Sequence, residues 1–199
     1  MLVQKIETQG AENMHDQPHD IDPSILNNVH VLQTENVKPS VETERAFRDA
    51  LGCFGTGVTL ITAKTDQGPI GMTVNSFASV SLDPALVLWS IAKKSGRYDA
   101  FRHASDYAIH ILAKNQLDLA MAFAKNGNSF NDQEWDMSSG KVPLAKRALA
   151  RFECEIETVH DGGDHSILIG RVKRFSQRAG QPLIFNAGKF GTFSDDEMK

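Results

Sequence analysis

Apolar positions along this chain come in short runs separated by turn residues, not in long helical stripes. Residues 1 to about 40 are polar and aperiodic, and such a segment cannot offset its ordering entropy by burial. It reads as a tail or a loosely docked arm. At Val41 the pattern changes. Phe47, Ala50 and Leu51 fall at i, i+3 and i+4, acids cluster ahead of them, and Gly52 follows, which predicts a helix over 41–51.

A β-rich block comes next. Gly57 to Ala63 predicts a strand, and Asp66-Gln-Gly-Pro69 a turn. Ile70 to Leu82 is rich in β-branched residues and reads as one extended segment, broken by Asp83-Pro84. Ala85–Ile91 and Tyr107–Leu112 predict further strands. Ser95–Ala104 predicts a short helix capped by Ser95, and Asn115–Lys125 a second helix. Residues 126–141 read as a polar loop. Arg151–Val159 alternates with period two, as a half-buried antiparallel strand does. Asp161-Gly-Gly-Asp164 then predicts a hairpin turn, with Ser166–Val172 as the return strand. Pro182–Phe185 is a last short strand before a polar tail. Many short strands with few helices favour an antiparallel barrel over βαβ units.

Composition narrows the function. The chain has 199 residues, 41% of them hydrophobic, with 11 Phe, so one domain can build a core without staples. A formal charge of −4 argues against a nucleic-acid partner, though not against one local anion pocket. The two cysteines, Cys53 and Cys154, lack metal spacing and suit small buried hydrophobes in a reducing compartment. No apolar run approaches 18 residues, and the start lacks a basic region followed by an apolar one. The expected location is therefore the cytoplasm, away from membranes.

Few segments carry chemistry. Gly52-Cys-Phe-Gly-Thr-Gly57 has the wrong spacing for a dinucleotide loop, with a helix before it and a strand after. In Gly71–Ser81, a continuous strand would point Thr73, Asn75 and Phe77 one way and Val74, Ser76 and Ala78 the other. That is either a solvated edge strand or a bed for a planar ligand with polar edges. Lys93-Lys94-Ser95-Gly96-Arg97, at a strand-to-helix junction, is either a solvated basic loop or an anion site. Ser90 could add a hydroxyl. His160-Asp-Gly-Gly-Asp-His165 lacks the further ligands of a metal site and reads as a hairpin whose His165 could reach a ligand. No serine sits in a nucleophile elbow and neither cysteine has a paired base, so no catalytic side chain is named.

In order along the chain, these segments resemble the flavin reductase-like family, the small reductases of two-component flavin monooxygenases. The resemblance runs from about Phe47 to Phe193. It rests on Phe47–Thr62, on Gly71-Met-Thr-Val-Asn-Ser-Phe-Ala-Ser-Val-Ser-Leu-Asp-Pro84, on Gly163-Asp-His165 and on Gly188-Lys-Phe190. It implies a mainly β fold, a six-stranded antiparallel split β-barrel of the FMN-binding type with a few flanking helices. That domain would span 41–193, between the extension 1–40 and a tail at 194–199. The barrel would be a homodimer holding FMN, with FAD as the alternative, and would use NADH or NADPH. By position, Thr73, Val74, Asn75 and Ser76 would line the flavin ring, with Gly57 and Val58 close to it. Ser90, Lys94 and Ser95 would hold the ribityl phosphate, near Phe101. His165 and Phe190 would lie on the nicotinamide side, Phe190 standing where the family often has Tyr. Hydride would pass from nicotinamide C4 to flavin N5, and reduced flavin would go to a monooxygenase. A flavin-binding electron carrier or sensor on the same barrel is the alternative.

Overall fold

The computed structural model describes residues 37–130, 135–137 and 142–193. Most of the expected arm therefore lies outside the described residues, as do parts of the 126–141 loop and the last six residues. The elements are α1 (Glu44–Gly52), β1 (Thr56–Gly57), β2 (Thr59–Thr65), β3 (Gly68–Val74), β4 (Ala78–Leu82), β5 (Ala85–Ala92), α2 (Tyr98–Arg102), β6 (Asp106–Ile111), a 3-10 turn (Lys114–Gln116), α3 (Leu117–Lys125), β7 (Trp135–Asp136), β8 (Leu144–Ala145), β9 (Ala150–Gly162), β10 (His165–Gln177), β11 (Leu183–Asn186) and β12 (Lys189–Thr192). The protein is mainly β, as expected. No helix among the described residues is long and apolar enough to cross a membrane.

Seven strands form one antiparallel sheet in the order β3-β2-β6-β9-β10-β5-β4. Its two edge strands, β3 and β4, are consecutive in the chain and joined by residues 75–77 alone. At roughly 3.5 Å per residue that link holds the edges close, so the sheet bends round on itself. Inside the bend lie Trp89, Phe101, Tyr107, Ile109 and Leu168. A second apolar cluster lies outside it, where α3 covers β2 and β3 with Phe123, packed with Trp135 and Phe130. Gly71 makes that packing feasible, since a Cβ there would come within 2.5 Å of the Phe123 ring.

A smaller sheet, β1-β11-β12, is tied to the large one at Val58, whose N–H donates to Leu183 and whose carbonyl accepts from Leu112, each at 3.0 Å.

Four expectations are corrected. Residues 70–82 are not one strand. Pairing with β2 ends at Thr59↔Val74, and residues 75–77 leave the ladder to reach the opposite edge. The expected alternation of side chains therefore stops at Val74. The helix expected from Ser95 begins at Tyr98, because residues 93–97 form turns. There the Ser95 hydroxyl accepts the Arg97 N–H at 3.2 Å. Trp135–Asp136 pairs with Leu144–Ala145 where a plain loop was expected. Finally, the tail after Phe185 turns at Ala187 and Gly188, both at positive φ, and returns as β12.

Candidate functional site

The large sheet brings together segments far apart in sequence. At the seam between its edges, the Ser76 hydroxyl donates to the Ser90 carbonyl at 3.0 Å and accepts the Ser90 N–H at 2.9 Å. Next to it, the half-buried Asn75 carboxamide makes no hydrogen bond to any described residue. Two residues past Ser90, Ala92 stands opposite His165 in the β5–β10 ladder. Asn75, Ser76, Ser90, Lys94, Ser95 and His165 thus gather around the seam where the chain leaving β3 meets the end of β5.

The 93–95 turn and the 161–165 hairpin are bound to each other. The Lys93 N–H donates to the Asp164 carbonyl at 2.9 Å. Lys93 Nζ donates to Asp161 Oδ2 and to the Gly163 carbonyl, both at 2.6 Å. Gly163, at φ 76°, supplies the left-handed turn and donates its N–H to Asp161 Oδ1. The Asp161 carboxyl is held below its usual range by the Lys93 hydrogen bond, then by that Gly163 N–H. His165, a third exposed at its side chain, bonds Asp164 Oδ1 through Nδ1 at 2.7 Å. That bond, with the imidazole charge behind it, keeps the Asp164 carboxyl low as well. It also leaves His165 Nε2 facing away from its partner.

Lys94 is exposed and makes no hydrogen bond or ion pair to any described residue. Arg97, by contrast, serves no anion. Its guanidinium donates to the carbonyls of Gly71, Phe123 and Ala124, closing the carbonyl end of α3, and its burial lowers its pKa. Of the basic run, Lys93 and Arg97 are engaged with protein groups, and Lys94 has no hydrogen-bond or ion-pair partner among the described residues.

Four of the expected contact residues have buried side chains in this chain. The Thr73 side chain is fully buried and donates to the Ala120 carbonyl at 2.7 Å, under α3. Val58 is buried with both backbone groups paired. Phe101 is 1% exposed and meets Trp89 edge-on at 5.4 Å, so its ring is core. Val74 is also buried, its carbonyl accepting the Thr59 hydroxyl. Gly57 is exposed two residues before Thr59, at the same end of the sheet as Asn75. Beside it the Thr56 hydroxyl is buried without a partner, a group the sequence reading passed over. Phe190 lies on β12 against Phe185, ring centroids 5.1 Å apart.

This donor set suits a planar ring with polar edges and a phosphate tail. Asn75 offers an unpaired carboxamide, and Lys94 beside Ser95 offers an exposed ammonium and a hydroxyl. The model of the flavin reductase like domain matches residues 51–194. The chain belongs to the flavin reductase-like family.

Among its relatives is a protein of Agrobacterium fabrum named FMN reductase (NADH) SmoA, 54% identical over 156 residues, covering 78% of this chain and 90% of that one. The reductase component of the flavin-dependent trigonelline monooxygenase of Acinetobacter baylyi is 45% identical over 155 residues, covering 77% of this chain but 50% of that longer protein. Among solved structures, the NADH:FAD oxidoreductase SgcE6 of Streptomyces globisporus in complex with NAD and FAD fragments aligns with a TM-score of 0.75 at 33% identity, covering 82% of this chain and 99% of that one. The flavin reductase PheA2 aligns with a TM-score of 0.70 at 37% identity, covering 76% and 98%.

Proposed function

We propose that this chain is an NAD(P)H-dependent flavin reductase that reduces FMN and supplies it to a partner monooxygenase. The observation that carries the reading is the gathering of Asn75, Ser76, Ser90, Lys94, Ser95 and His165 around the seam of a bent sheet. The names of the Agrobacterium and Acinetobacter relatives support the cofactor and the partner class. FAD is the second candidate flavin, in line with the SgcE6 complex with NAD and FAD fragments.

Flavin, when bound, would supply a ring able to accept hydride from a reduced nicotinamide. The chain supplies orientation. Asn75 bonds the polar ring edge, next to the Ser76–Ser90 bridge. Lys94 and Ser95 hold the phosphate. His165 Nε2 accepts from the nicotinamide carboxamide. Holding two flat rings in contact at the reacting angle provides most of the acceleration.

In this reading the bent sheet is the split barrel of the family, residues 41–193 are the domain, and the working form is a cytoplasmic homodimer. The nine residues of α1 include none that is buried, and Phe47, Leu51 and Phe54 are exposed on or beside it. A helix that short is marginal alone, which supports a covering subunit. Of the two free cysteines, Cys154 is buried as expected, whereas Cys53 is exposed.

The test is NADH and NADPH oxidation by the purified protein with FMN, FAD and riboflavin added in turn. Turnover is expected with FMN, slower with riboflavin. No oxidation with any flavin overturns the reading.

A further inference from the structure

The Lys93 contacts have a functional meaning that the flavin site does not account for. The lysine side chain is 37% exposed, so simple solvation was open to it. Instead its ammonium spans from β5 to the hairpin tip and meets both a carboxylate oxygen and a backbone carbonyl, while its own amide bonds Asp164. Asp161 closes the ring of contacts by accepting the Gly163 N–H on its other oxygen. The residue after Asp164 is His165, whose imidazole bonds that same aspartate. A two-residue hairpin tip with a glycine at positive φ is free to rock unless something holds it. Lys93 holds it from the neighbouring strand at two points.

We propose that Lys93 and Asp161 form a positioning pair that sets the His165 imidazole for the nicotinamide, acting through the hairpin tip and touching neither substrate. The proposal rests on the reading of His165 as a nicotinamide contact. The brace fixes where the tip stands before substrate arrives, so its loss weakens nicotinamide binding in ground and transition states alike. Such a loss falls on KM and leaves kcat nearly as it was. It also leaves the flavin side alone, because Ser95, next but one after Lys93, keeps its own turn bonds, its N–H donating to the Ala92 carbonyl and its hydroxyl accepting the Arg97 N–H.

The test uses the full chain loaded with FMN and four variants, Lys93→Met, Asp161→Asn, the double variant and Lys93→Arg, with His165→Ala as reference. Expected are a roughly three- to tenfold rise in the KM for NADH in each single variant, no further rise in the double variant, and partial rescue by arginine. The FMN dissociation constant, read by quenching of flavin fluorescence, should move less than about twofold. In the His165→Ala background, Lys93→Met should add nothing. If His165→Ala raises KM while Lys93→Met does not, the brace is structural only and this proposal falls while the site reading stands. If His165→Ala itself leaves KM unchanged, the nicotinamide assignment falls and the proposal with it. A Lys93→Met variant that loses FMN affinity and keeps its KM for NADH would place Lys93 on the phosphate side and overturn the brace.

Discussion

Ser76 and Ser90 exchange two hydrogen bonds through one hydroxyl, and these bonds join the end of the β3 edge to β5 across the seam. A side-chain oxygen here replaces the ladder contact that residues 75–77, having left the strand, no longer make. Each such bond is worth about 1 kcal/mol net. Ser76→Ala should therefore weaken FMN binding about five- to twentyfold by freeing the ring-bearing link, with a smaller fall in melting temperature. A fluorescence titration with FMN checks it, and unchanged affinity would show that the link is held elsewhere.

Lys94 is the unpaired cation of the basic run, while Lys93 and Arg97 are engaged. Charge-assisted bonds to phosphate contribute about 1.5–3 kcal/mol. Lys94→Met should lower FMN affinity by roughly ten- to a hundredfold while riboflavin affinity moves less than about twofold. Parallel titrations with the two flavins read the difference directly. Equal losses for both would place Lys94 away from the phosphate.

His165 keeps Nδ1 on Asp164, so its other nitrogen faces outward. His165→Ala should raise the KM for NADH about tenfold and change FMN affinity much less. Steady-state kinetics at saturating FMN, together with FMN titration, separates the two. Loss of flavin with intact NADH kinetics would reverse the assignment.

His110 predicts a pH dependence of stability unrelated to catalysis. It is fully buried, Nδ1 bonds the Leu60 carbonyl at 2.9 Å, and Nε2 accepts the Ala145 N–H at 3.1 Å. The ring is therefore neutral with its proton on Nδ1. Burial above all, with the nearby Arg151 charge adding to it, pushes its pKa from 6.5 down to about 4. Between these values the unfolded chain binds a proton that the folded chain does not. Stability from this group is complete above pH 6.5 and drains away as pH falls toward 4, by about 3 kcal/mol in all. Urea midpoints measured from pH 7 to pH 4 should show that slope, flattened in His110→Asn.

Long regular strands were legible in the sequence because alternation is a local signal. The strand Ala150–Gly162 and the apolar run Ala85–Ala92 both lie where the pattern puts them. The break at 75–77 was not legible, since Asn75-Ser76-Phe77 continues a β-compatible run and only the opposite edge gives those residues a reason to leave the ladder. The strand Lys189–Thr192 is four residues with a glycine inside, too short to alternate visibly. Trp135–Asp136 finds its partner eight or more residues on, which no local pattern reports. At the site, the motif segments around Asn75, Ser90, Lys94 and His165 are brought together at the seam, which residue order alone does not report. Which side chains face outward was not legible. Thr73 and Phe101 point into packed regions because α3 and Trp89 are there to receive them. The nearness of Lys94 to His165 depends on the register Ala92↔His165, a long-range fact.

Arg97 gives the loop before α2 a particular mechanical character. At one end Lys93 is anchored to the hairpin, and at the other Arg97 is anchored to three carbonyls of β3 and α3. Between these anchors only Lys94, Ser95 and Gly96 are left to adjust. Gripping a phosphate therefore orders a few torsions instead of a whole loop, and the entropy lost on capture is correspondingly small. Release is eased for the same reason, because letting go requires no wider rearrangement. That behaviour suits a protein whose reduced product has to travel to a second enzyme.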